Sequence, residues 1–303
     1  YRTPDPALPA SAIIVMAADH GVADEGVSAY PVEVTAQMLR NFVDGGAAIN
    51  VLARMQKAPV IVVDLGARVG LDGIPQIRRH RLGPGTCNML RGPAMTRETA
   101  VRAVEIGITI ATQLHEQGSR LFAVGEMGIA NSTAASAVTA AMLGLPLEQT
   151  TGRGTGVDDR RLRHKFATVA QALAVNRPDR ADPIDVLAKV GGFEIAGLAG
   201  VMLGAAARQI PTVLDGFITG AAALVAVALC PTVREYLIAA HRSPEPGHRH
   251  ILGHLDLQPL FELDMRLGEG TGAALALTFV EASLRILREM ATFEAAGVTD
   301  TGA

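Results

Sequence analysis

Short runs of β-branched residues recur along this chain, and each hands over to a stretch patterned for several helical turns. SAIIVMAADHG (11–21), PVIVVDLGA (59–67), LFAVGEMGI (121–129), PTVLDG (211–216) and YLIAAHR (236–242) read as strands. Helical segments read at 32–55, 96–118, 133–143, 157–176, 194–209 and 217–229. Thr96, with Glu98 close behind, opens the 96–118 helix, and Asp158 or Asp159 opens the helix over 157–176. Strands separated by helices of this length imply βαβ units, because parallel neighbours need a crossover between them. The expected fold is therefore α/β, a Rossmann-like, mostly parallel sheet flanked by helices. After Leu255 the chain reads as helices only, ending in FVEASLRILREMATFEAAG (279–297). That predicts a large α/β domain over 1–255 and, over 256–303, part of a smaller helical subdomain built from the chain ends.

A chain of 303 residues is long enough to bury roughly three quarters of its unfolded surface. Hydrophobic residues make up 49% of it and aromatics only 4%, with no Trp, so the core must be built from Ala, Val, Leu and Ile. The net charge is −3 and no block of like charges occurs, which argues against a nucleic-acid or membrane-surface partner. The apolar runs near 194–207 and 217–229 are too short and too interrupted by Gly and Ala to span a bilayer. Two cysteines, Cys87 and Cys230, form neither a disulfide framework nor a zinc ribbon, so a reducing cytoplasm is the expected compartment. Lysine occurs only at 57, 165 and 189, which draws notice to Lys165 beside a glycine-rich turn.

Ligands collect at the carboxyl ends of parallel strands, so the polar loops found there are the candidate site. They are ADHGVADEGVSAYP (18–31), GEMGIANST (125–133), TGRGTGVDD (151–159), LDGFITG (214–220), HRSPEPGHRH (241–250) and LGEGTG (267–272). In the last, Glu269 sits between two glycines and runs straight into an apolar helix. The glycines let backbone come close to a ligand, and the helix N-terminus attracts an anion, so Glu269 is a candidate general base beside a bound phosphate. A carboxylate that only complements the helix dipole fits the same pattern. TGRGTG and GEGTG are anion nests by composition, without the Gly-Lys-Ser/Thr of a Walker loop or a good dinucleotide fingerprint. Lys165 reads either as a phosphate ligand or as a solvated surface lysine.

Histidines 241, 248, 250 and 254 cluster in sequence, but no Cys or carboxylate completes a familiar zinc spacing. Asp19, His20, Asp24 and Glu25 read equally well as turns whose carboxylates bond their own backbone. No metal and no cofactor is expected. What remains suits a reaction in which a substrate phosphate anchors and a carboxylate moves a proton.

Several loops together resemble one family. AADHGVADEGVSAYP, GGAAINVLAR, GEMGIANSTAA, GRGTGVDD, GGFEIAGLAG, LDGFITGAAAL, HRSPEPGH and MRLGEGTGAA, collinear from about residue 17 to 297, are similar to nicotinate-nucleotide–dimethylbenzimidazole phosphoribosyltransferases. The resemblance implies transfer of phosphoribose from nicotinate mononucleotide to 5,6-dimethylbenzimidazole, with α-ribazole 5′-phosphate and nicotinate as products, in cobalamin lower-ligand synthesis. It further implies a homodimer, and an N-terminal helical part of the small domain lying upstream of Tyr1. Glu269 would take the benzimidazole proton, and Glu126 would sit opposite, near nicotinate and ribose. Ser28, Gln37 and Leu267 match the base pocket. Gly128, Asn131, Ser132, Gly152, Gly154, Thr155, Gly156, Lys165, Asp215 and Gly270 match the phosphate and ribose subsites. Where the family often has GIGNTT, this chain has Gly128-Ile129-Ala130-Asn131-Ser132-Thr133, changes that are mild in size.

The implied chemistry agrees with the residues. A nicotinate nucleotide carries a cationic pyridinium, which leaves without an acid, and no pyrophosphate departs that would call for magnesium. The chain also lacks the adjacent acids in an apolar strand that mark pyrophosphate-donor enzymes. Other acceptors such as adenine or a phenol remain open, because pocket shape decides between them. A non-catalytic nucleotide-binding protein would leave Glu269, Glu126 and both nests without a purpose, and an NAD-dependent oxidoreductase would need the missing fingerprint.

Overall fold

In the computed structural model, residues 7–71 and 73–299 are described. Six strands form one sheet: β1 (Ser11–Ala18), β2 (Val60–Gly66), β3 (Arg78–Arg79), β4 (Leu121–Met127), β5 (Thr212–Leu214) and β6 (Leu237–Ala239). Their order is β3-β2-β1-β4-β5-β6, and every described pairing is parallel. This is the doubly wound order, and the winding direction reverses between β1 and β4, where a crevice opens at their carboxyl ends. The α/β expectation holds, with all described strand pairs parallel rather than most. The β1 run AIIVMAA is fully buried because helices cover both faces of the sheet.

Alternation along β1 divides the core in two. Ile13, Val15 and Ala17 face α1 (Glu33–Asp44), α2 (Ala48–Gln56) and the start of α10 (Thr271–Glu289). Ile14 and Met16 face the opposite core, which holds α3 (Arg97–Glu116), α4 (Asn131–Leu143), α5 (Asp159–Asn176), α6 (Pro183–Val190), α7 (Phe193–Ala206), α8 (Phe217–Leu229) and α9 (Pro246–Leu255). A four-residue helix α11 (Phe293–Ala296) follows α10.

Helix α7, FEIAGLAGVMLGAA, has no polar face because it lies between the sheet and α3. Glycines bring the two helices together. A Cβ on Gly107 would lie 1.9 Å from the Gly197 carbonyl oxygen, and one on Gly200 would lie 2.0 Å from that of Val104.

Several boundaries differ from the sequence reading. The 32–55 helix breaks at Gly45, whose φ of 79° turns the chain from α1 into α2. The last strand shortens to Leu237–Ala239, while β3 and α6 are additional. The expectation of helices throughout 256–303 fails for 256–270, which forms an irregular strap. That segment carries Pro259 and no continuous apolar stripe, and instead the N–H groups of Leu260 and Phe261 bond carbonyls at the end of β6. Helix α10 then buries Thr271–Leu277 against β4, β5 and α2, while its second half leaves Phe279, Ile286 and Leu287 exposed.

The α3–α7 crossing has no room for one methyl group. Gly107→Ala is therefore expected to destabilise the fold by about 1–3 kcal/mol or more through overpacking, read as a lower midpoint in urea denaturation.

Candidate active site

Strand β4 ends in Gly125, Glu126 and Met127 at the sheet reversal. Gly125 is a glycine because the loop before α10 crosses its Cα; a Cβ there would lie 2.3 Å from the carbonyl oxygen of Glu269. The crossing loop holds three successive left-handed residues, Gly268 (φ 82°), Glu269 (φ 63°) and Gly270 (φ 92°). For Glu269 this conformation costs about 1–2 kcal/mol. Asp215, just beyond β5, holds the loop in place. Its carboxylate accepts the N–H groups of Gly270 (3.2 Å), Gly272 (2.7 Å) and Ala273 (3.2 Å), which are otherwise unpartnered donors at the start of α10.

The loop thereby places Glu269 beside Glu126 on one wall of a cavity of about 320 Å³. Glu269 Oε2 accepts the N–H of Ile49 at 3.2 Å, and Glu126 accepts the amide of Asn131. Burial raises all three carboxyl groups of this wall. Glu126 is pushed up to about 8, with further increments from the charges of Asp215, Glu194 and Glu269. Asp215 is raised to about 7 by burial against the pull of its three N–H donors, and Glu269 is raised by burial against the pull of Ile49. A wall of this kind repels anions and favours a cation or a group gaining positive charge.

The same cavity is also lined by the glycine-rich loop that precedes α5. Gly154 and Gly156 have φ of 55° and 106°, and the loop opens onto α5, whose first turn Asp158 caps. Lys165 is no surface lysine. It is 1% exposed, and its ammonium donates to Ser132 Oγ (2.9 Å) and to the Gly152 carbonyl (3.1 Å). Burial lowers it to about 8, while the charge of Glu245 acts against that shift.

Of the residues expected from sequence, Glu126, Glu269, Ser28, Leu267, Gly128, Asn131, Ser132, Gly154, Thr155 and Asp215 all line the cavity. Gly152, Gly270 and Lys165 lie behind its surface, Lys165 reaching it through Ser132, while Gly156 is exposed outside the lining. Gln37 is placed elsewhere. It is exposed on α1, while Val34 and Met38, one turn apart, face the cavity in its stead. Asp215 also serves chiefly as a clamp on the α10 turn.

The Ala130 replacement, mild in size, is not mild in conformation. Ala130 has φ 72° at the start of α4, a backbone that disfavours any Cβ. Sequence reasoning also missed the part of the HRSPEPGH loop that lines the cavity, namely His241, Ser243 and Glu245. Glu245 Oε1 accepts the Gly154 N–H at 2.7 Å. The available signal was a strand-end loop already among the candidates, read there for its histidines. Those histidines part company: His241 and His248 are buried, His250 is half-buried and His254 is exposed. His248 Nδ1 accepts the Ser243 N–H (2.9 Å), and burial lowers the ring to about 3, so it is a neutral loop anchor. Among the described residues no group of three or more His, Cys, Asp or Glu could hold a metal ion.

The raised Glu126 has a stability signature. The folded protein retains a proton that the unfolded chain, with a carboxyl value near 4.5, releases. Stability is then untouched by this group below the unfolded value and declines as pH rises toward about 8. Glu126→Gln should remove that decline, with thermal unfolding curves diverging by up to about 1.4 kcal/mol per pH unit in that window.

The geometry has counterparts among known proteins. A family model described as phosphoribosyltransferase matches residues 1–298. A protein of Roseiflexus sp. (strain RS-1) named nicotinate-nucleotide–dimethylbenzimidazole phosphoribosyltransferase is 58% identical over 294 residues, covering 97% of this chain and 83% of that one. A relative of the same name from Geobacter metallireducens is 55% identical, again over 97% of this chain and 83% of the relative. The crystal structure of CobT from Thermus thermophilus superposes with a TM-score of 0.93 at 49% identity, covering 97% of this chain and 88% of that one. With the doubly wound sheet and a family match along nearly its whole length, this chain belongs to the phosphoribosyltransferase family represented by those proteins.

Proposed function

We propose that this protein transfers the phosphoribosyl group of nicotinate mononucleotide to 5,6-dimethylbenzimidazole, releasing nicotinate and forming α-ribazole 5′-phosphate. One observation carries the reading: a single cavity is lined both by the desolvated carboxyl groups of Glu126 and Glu269 and by a glycine-rich loop at Gly154, with the buried Lys165 behind Ser132. That combination suits a substrate cationic at one end and anionic at the other, which a pyridinium nucleotide is.

In the proposed reaction the nicotinate nitrogen leaves C1′ with the bonding pair and becomes a neutral pyridine. A benzimidazole nitrogen attacks C1′ from the opposite face, which inverts the β-nucleotide to an α-nucleotide. Its other nitrogen loses its proton to Glu269, whose raised proton affinity suits a base at neutral pH. A cationic substrate bound beside Glu126 lowers its raised proton affinity and draws out the carboxylate, which then supports the positive charge that develops on the ribose. Ser132, Gly154 and Thr155, with Lys165 behind them, hold the 5′-phosphate. Val34, Met38 and Leu267 supply apolar walls for a flat bicyclic base, with Ser28 at its edge. The reading extends to a cytoplasmic homodimer, and to a smaller helical domain for the part of the C-terminal stretch beyond the sheet-packed start of α10; the exposed apolar second half of α10 supports such a contact.

Purified protein incubated with both substrates without added metal should yield chromatographic peaks for nicotinate and α-ribazole phosphate. Absence of product from folded protein would overturn the assignment. Glu269→Gln should retain nucleotide binding and lose at least about two orders of magnitude in rate; near-normal turnover would remove it as the base. Lys165→Ala should raise the KM for the nucleotide more than it lowers kcat, and an unchanged KM would take Lys165 out of the phosphate site.

A further inference from the structure

Glu269 has an unusual partner. The hydrogen bond from Ile49 N–H to Glu269 Oε2 (3.2 Å) joins residues 220 apart, and Ile49 is the second residue of α2. Helices ordinarily satisfy such an N–H with a Ser, Thr, Asp or Asn at the preceding cap. Here the cap is Ala47, at φ −76° and ψ 162°, with no side-chain acceptor to offer. The vacancy is filled from two directions. Asn50 Oδ1 turns back to accept the Ala47 N–H (3.2 Å), and its amide donates to the Phe42 carbonyl (2.9 Å) at the end of α1. The Ile49 N–H is thereby left pointing at Glu269.

We infer that Asn50 is a positioning residue for the general base: by locking the α1–α2 turn it aims the uncapped N-terminus of α2 at Glu269 Oε2 and leaves Oε1 to receive the substrate proton. The inference rests on Glu269 acting as the base. Asn50 is buried and does not line the cavity, so it acts only through the turn. The arrangement has two consequences. An oxygen engaged by an N–H donor is a poor proton acceptor, so protonation is directed to the other one. The partial positive charge of the helix end also stabilises the carboxylate, partly offsetting the desolvation that raises it.

Two variants test this in the full chain. Asn50→Ala releases the turn. Ala47→Ser introduces a cap hydroxyl that competes with Glu269 for the Ile49 N–H while strengthening α2. The readout is the titration midpoint of the Glu269 carboxyl by ¹³C NMR, assigned by its loss in Glu269→Gln. Each variant should raise that midpoint by roughly half a unit and move the acid limb of the kcat pH profile upward with it. Ala47→Ser should do so with thermal stability unchanged or improved, which a merely structural role for the turn does not produce. Midpoints unchanged in both variants would overturn the inference. The titration needs no turnover, so the clamp and the base assignment fail separately: a shifted midpoint beside a fully active Glu269→Gln would sink the base assignment alone.

Discussion

The contact on which the site depends is a backbone crossing, not a side-chain bond. The Glu269–Gly270 peptide lies against Gly125 at a distance that excludes any Cβ on the strand beneath. This seats the start of α10 on the sheet and sets Glu269 beside Glu126, although 143 residues separate them in the chain. Close approach requires a turn that L-residues disfavour, and Asp215 offsets that strain by accepting three N–H groups of the same turn. A buried carboxylate satisfied by backbone donors is thus spent on shape, while its neighbours remain available for chemistry.

The cavity is organised by charge. Three carboxyl groups share one desolvated wall, where burial raises each of them and the charge of Glu269 raises Glu126 and Asp215 further. The glycine-rich loop of the same lining has Glu245 on the Gly154 N–H and the buried Lys165 ammonium behind Ser132. A low-dielectric site strengthens the electrostatic effect of both groups of residues. Val34, Met38 and Leu267 give the same cavity apolar faces, the ones to which the proposed reaction assigns recognition of the base.

The core explains how such loops are held still. Helix α7 lies within the core, meeting α3 through Gly107 and Gly200, and the central strand is buried throughout. A chain poor in aromatics fills its interior with small residues that allow backbones to come close, which gives a rigid base for strained loops above it.

Much of this was legible in the chain itself. Runs such as AIIVMAA and VIVVDLG have the continuous apolar pattern of doubly covered parallel strands, and helix-length spacers between them leave little choice but crossovers. The loops carrying Glu126, Glu269 and the TGRGTG nest stood out because Gly beside a polar residue at a strand end has few structural uses, yet of the three only the Glu126 loop follows a strand, the other two entering α10 and α5 from irregular segments. Local pattern did not reveal which side of α1 faces the cavity, so Gln37 was expected where Val34 and Met38 stand. It also did not reveal that Ala130 takes a left-handed backbone, that Asp215 caps α10, or that α2 is capped by a residue 220 positions away. Periodicity and composition act over a few turns, and they determined the α/β class, the strand-end loops and the candidate carboxylates. The proton affinities, the lining of the cavity and the partner of Glu269 were decided by the tertiary structure, because burial, charge coupling and backbone crossings exist only between segments that the fold brings together.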